Sequence, residues 1–152
     1  MAQTAYDLDF NLWARDQARA LREGRFGDLD LEHLTEEVEE LGGSFRDQLE
    51  SRIIVLMAHL LKWTYQPEER SRSWYATVDE QRRRITRLLK KVPSLKPSVE
   101  DVVLESYEEA VQDAIAETEL DRDAFPEACP YSFEALFTVE VERPPKARKR
   151  RP

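Results

Sequence analysis

Two histidines mark where this chain could do metal or acid–base chemistry. His33, Glu36, Glu37 and Glu40 stand at i, i+3, i+4 and i+7 within EHLTEEVEEL, so a helix lines them along one side. A neutral imidazole and carboxylates in such a row can ligate a divalent cation, as inward-facing side chains do in helical bundles. Five acids among residues 32–40 also fit a solvated face, or one neutralised by arginines.

The other histidine, His59, follows Arg52 with six residues between them in SRIIVLMAHLL. This spacing resembles that of HEPN-type ribonucleases, which are all-α. The resemblance implies that Arg52 holds a phosphate while His59 transfers a proton near neutral pH. Helical side chains lean toward the N-terminus, so the pair converges on one phosphate only across a two-fold dimer. Ile53 stands after the arginine, where that pattern carries a polar residue. The competing reading pairs Arg52 with Glu36 or Glu37 across a helical hairpin and makes His59 a satisfied core histidine.

A third stretch, KWTYQPEERSRSWYATVDEQRRR, alternates aromatic and basic side chains. Lys62, Trp63, Arg70, Arg72 and Trp74 could stack and clamp a single nucleic-acid strand without reading its sequence. Trp63 and Trp74 also fall at apolar phase in their helices, which suits core packing. Arg83, Arg87 and Lys90 form a basic stripe that could answer the acidic helix within the bundle or across a dimer. Cys129 has no histidine near it in sequence and reads as a small hydrophobe. With four glycines in all and no phosphate loop, no nucleophile triad and no paired CxxC, the sequence calls for no cofactor.

The elements that must position these residues are helices. The 152 residues hold 36% charged and 41% hydrophobic side chains, a length and composition that suit one helix-rich domain. Apolar spacing predicts a first helix over about Asp9–Glu23, stopped at Gly24. A second helix, capped by Asp30, buries Leu31, Leu34, Val38 and Leu41 and ends at Gly42-Gly43. A third, opened by Ser44, carries Phe45, Leu49, Ile53, Leu56, Leu60 and Trp63 and is apolar nearly all round, so it belongs at the centre. A fourth runs from about Ser73 to Lys91, a fifth from about Val99 to Leu120, and Ser132 caps a short last helix through about Phe137. The expected fold is all-α: a single-domain bundle of about five main helices plus a short C-terminal helix, over residues 1–139.

Residues 140–152 hold six basic and two acidic side chains, a balance of +4, so the total of −8 leaves −12 on residues 1–139. So acidic a body repels nucleic acid, leaving only the basic, solvated tail to meet a polyanion. The longest apolar run, 53–61, is short of a membrane span, and acids near the start do not suit a signal peptide. A single cysteine permits no internal disulfide. The chain is therefore expected to be cytoplasmic, free of the membrane, and engaged with a protein partner or with itself.

The run YDLDFNLWARDQARALREGRFGDLDLEHLTEEVEELGGSFRDQLESRIIVLMAHLLKW, followed by YQPEERSRSW, QRRRI, PSLKP and FPEACPYS, resembles domain-of-unknown-function family 29 over residues 6–138. The resemblance implies a helical, single-domain bacterial protein and brings no established activity. The sequence thus favours a non-enzymatic interaction or regulatory module. The alternatives are a ribonuclease using Arg52 and His59 and a metal-binding bundle at His33 and Glu37.

Overall fold

Helices form wherever the apolar spacing calls for them, and the computed structural model describes residues 2–146. Among these residues six α-helices follow in order: α1 (Ala5–Leu8), α2 (Phe10–Arg22), α3 (Leu31–Tyr65), α4 (Arg72–Lys91), α5 (Val99–Thr118) and α6 (Ala135–Thr138). Among the described residues there is no strand. The fold is all-α, as expected.

Caps set the helix ends. Asp9 accepts from the Leu12 amide and opens α2, and Asp30 Oδ1 accepts from the His33 amide at the head of α3. Ser71 does the same for α4 through the Trp74 amide. Ser132, expected to cap the last helix, instead lies two residues before its N-cap Glu134, in a turn where its Oγ accepts from the Ala135 amide at 3.1 Å. Gly24, at φ 69°, takes the left-handed conformation that turns the chain after α2.

One expectation fails. No break occurs at Gly42-Gly43, and the predicted second and third helices are one helix of 35 residues. Two interior glycines cost about 1 kcal/mol each relative to alanine, yet extending a formed helix gains one hydrogen bond per residue. Ser44 opens no new helix; its hydroxyl donates to the Leu41 carbonyl at 2.8 Å, within α3. The hairpin register that set Arg52 against Glu36 or Glu37 therefore does not form.

The chain divides into two compact units, Met1–Ser44 and Phe45–Pro152. In the second, α3 contributes Leu49, Ile53, Leu56, Met57, Leu60 and Leu61, which pack against Val78, Ile85 and Leu88 of α4 and Val103, Tyr107 and Val111 of α5. The C-terminal segment docks on this core through Phe125 and Leu136. Arg82 ties it down, donating to the carbonyls of Leu136 (2.8 Å) and Val139 (2.7 Å). Val141 packs on the same core. Of the basic tail, residues 147–152 lie outside the described residues.

In the first unit, Trp13, Gln17 and Ala20 of α2 are buried. The unit is acidic: eleven Asp and Glu against four Arg, a balance of −7. Most of its apolar side chains are not covered. Of the ten large hydrophobics left exposed among the described residues, eight lie here.

Candidate functional site

The charged residue at the centre of the second unit is Lys62. It sits in the run LLKW of α3 and is fully buried. Three groups from three helices receive its ammonium. Glu117 of α5 forms the ion pair, the Trp74 ring of α4 lies 4.8 Å away, and His59 Nε2, one turn back on α3, stands at 3.4 Å. The opposite ring nitrogen, Nδ1, donates to the Val55 carbonyl at 2.8 Å. A carbonyl only accepts, so Nδ1 carries the proton and Nε2 offers its lone pair to Lys62. Burial and the adjacent Lys62 charge hold the His59 imidazole below its ordinary value and keep it neutral. Both of its nitrogens are engaged, and neither partner is Arg52.

Arg52 lies elsewhere, in a groove of about 160 Å³ between α3 and α4. Phe45 and Gln48 line it from α3, and Arg84, Arg87, Leu88 and Lys91 from α4. Arg84 pairs with Glu80 on its own helix at 2.7 Å, and Lys91 Nζ rests 5.6 Å over the Phe45 ring. Among the described residues no carboxylate pairs with Arg52, Arg87 or Lys91. This is a cationic pocket with an apolar wall, in a chain whose net charge is −8.

The first unit holds its own polar cluster around His33. Its Nδ1 meets Asp30 Oδ2 at 2.7 Å, and the Trp13 indole donates to the same oxygen at 3.0 Å. Gln17 accepts the Asp30 amide at 2.7 Å. The Tyr6 ring stacks on His33 with centroids 4.0 Å apart, and its hydroxyl donates to Glu37 at 2.5 Å. That hydrogen bond to a carboxylate, with burial, pushes the Tyr6 phenol up to about 12. Asp30 in turn raises His33, which favours its charged form. Glu36 and Glu40 are exposed. Among the described residues, no three His, Cys, Asp or Glu side chains stand together in a way that could hold a metal ion, so His33, Glu36, Glu37 and Glu40 share a helix without converging.

Of the aromatic and basic residues around the connector, Lys62 and Trp63 are buried, Arg72 and Trp74 half-buried and Arg70 exposed. Trp63 is buried; Arg70 covers its ring at 4.9 Å and donates to its carbonyl at 2.8 Å. Arg72 reaches the Pro144 carbonyl at 3.4 Å. Arg70 and Lys62 thus each cover a face of one of these two tryptophan rings. Cys129 is half-buried, its thiol 3.4 Å from the Tyr131 carbonyl, and burial pushes that thiol up. Sequence reasoning missed Glu117 as the Lys62 partner. The available signal was a lone charge inside an otherwise apolar stretch of α3, which requires a counter-charge from another helix.

No helix among the described residues is long and apolar enough to cross a membrane. Compared with known proteins, residues 5–140 match the family model described as domain of unknown function DUF29. No curated protein and no solved structure matches the chain.

Proposed function

Because the chain belongs to the DUF29 family, a membership that brings no activity with it, its role has to be read from its own residues, and we propose that it is a non-enzymatic interaction module that pairs with a second copy of itself through unit Met1–Ser44. The carrying observation is an uncovered apolar seam. Leu31, Val38 and Leu41, exposed at 66%, 66% and 64%, follow with half-buried Leu34 the 3–4 alternation of a helix meeting another helix. A unit of 44 residues is near the lower limit at which a hydrophobic core sustains itself, and oligomerisation is one of the usual remedies.

Charge supports the second copy as the occupant. Arg15, Arg19 and Arg22 form an exposed row at i, i+4 and i+7 on α2. Glu32, Glu36 and Glu39 form an exposed row at the same spacing on α3. Among the described residues no ion pair engages either row. A two-fold contact lets each row meet the other, since residue i meets j wherever j meets i. Burying one Leu or Val contributes about 1.5–3 kcal/mol. Six such side chains across the contact can therefore offset an association cost of about 4–15 kcal/mol.

The catalytic reading of Arg52 and His59 draws no comparable support. A proton-transferring imidazole needs a nitrogen free for its substrate, and both nitrogens of His59 are bonded within the protein. Light scattering on the eluting full chain tests the proposal: it expects a dimer that becomes monomeric when Leu31 and Val38 are replaced by Glu. A parent chain that elutes as a monomer throughout would refute it.

A further inference from the structure

We infer that the groove lined by Gln48 and Arg52 of α3 and Arg84, Arg87 and Lys91 of α4 is a binding site for the phosphoryl group of a small phosphate ester. The inference is independent of self-pairing, because every residue of this site belongs to the second unit.

Like charges gathered in one hollow repel one another, and among the described residues no carboxylate offsets this at Arg52, Arg87 or Lys91. The chain has 31 acidic side chains, yet among the described residues only Glu80 forms an ion pair with one of this groove's cations, and it pairs with Arg84 four residues along the same helix. Guanidinium forks match the oxygens of a phosphoryl group two at a time, whereas an ammonium contributes a point charge. The amide of Gln48 can donate to a remaining oxygen. The hollow, about 160 Å³, suits a compact anion; it lies below the roughly 300 Å³ at which cofactor and drug-sized pockets begin. Phe45 and Leu88 form an apolar wall that accommodates the carbon end of an ester.

The test titrates inorganic phosphate, then glycerol phosphate, into the full chain at constant ionic strength, by calorimetry and phosphorus NMR. Saturation at one site per chain is expected, with glycerol phosphate at least as tight as inorganic phosphate. Replacing Arg52 or Arg87 by Gln removes a charge-assisted pair and is expected to weaken binding about tenfold each. Arg83→Gln changes nothing, because Arg83 pairs with Asp79 outside the groove. Arg52→Lys keeps the charge, loses the fork and falls between Gln and the parent; it serves if Arg52→Gln does not fold. Absence of saturation overturns the inference. So does an equal loss in Arg83→Gln, which would mark diffuse attraction by surface charge. A short RNA that binds tighter than glycerol phosphate and depends on the same arginines would overturn the small-ester assignment.

Discussion

The Lys62 ammonium stands 3.4 Å from the unprotonated Nε2 of His59, so a buried cation in α3 uses an imidazole from its own helix as one of its acceptors. This relationship explains why a charge is tolerated in the most apolar element of the fold. Glu117 neutralises it, Trp74 supplies a π-face, and His59 must remain neutral to contribute.

Replacing Lys62 therefore separates charge from volume. Lys62→Ala leaves a cavity and strands the polar partners, and its expected cost is about 2–5 kcal/mol. Lys62→Met keeps most of the volume and removes the buried charge, so it should cost less than half as much. Urea unfolding followed by circular dichroism measures both. Equal losses in the two variants would show that the charge itself stabilises the fold.

The two histidines should titrate on opposite sides of 6.5, their ordinary value. Asp30 raises His33; that interaction stabilises the fold fully below about 6.5 and is lost as pH rises through the raised value. Burial and Lys62 depress His59, so the unfolded chain binds that proton more readily. Its contribution falls as pH drops below about 6.5 and levels off beneath the depressed value. NMR titration of the ring protons checks the order. Asp30→Asn should bring His33 down and leave His59 in place; coinciding midpoints would contradict this reading.

Gly42 and Gly43 give a prediction about α3. A Cβ built at either position meets nothing within 4 Å, and both lie in regular helix. Each Gly→Ala change should stabilise by about 0.5–1 kcal/mol. Gly24→Ala, at φ 69°, should destabilise by about 1 kcal/mol because a side chain is strained there. Thermal melts of the three variants decide it. Destabilisation at Gly42 and Gly43 would indicate that the helix breaks in solution.

The charge rows can be tested by exchange. Arg19→Glu and Glu36→Arg should each weaken self-association, and together they should restore part of it. The coupling between them is expected at about 0.2–1 kcal/mol, the range for exposed pairs. Sedimentation at two salt concentrations reads it, with the effect shrinking at high salt. Purely additive losses would show that the two rows do not meet.

Much of this was legible in the sequence because helical period and caps are local signals. The heads of α2 and α3 follow from single residues. The Gly-Gly break did not form, because intrinsic propensity is a weak prior against propagation from strong helix formers on both sides. The same error created a false pairing for Arg52. Arg52, Arg87 and Lys91 converge through the packing of α3 on α4, and Lys62 meets Glu117 from 55 residues away. Contacts between distant segments leave no spacing to read. The spacing of Leu31, Leu34, Val38 and Leu41 reads as a buried stripe, yet Leu31, Val38 and Leu41 stand exposed among the described residues, because spacing shows which side of a helix is apolar and not whether another element covers it.

Sedimentation equilibrium of the full chain over a wide concentration range tests the central claim most directly. The account predicts a reversible assembly of twice the 17.8 kDa chain mass, reduced to the single mass by Leu31→Glu with Val38→Glu while helix content is retained. A parent chain that remains at 17.8 kDa at every concentration would contradict it.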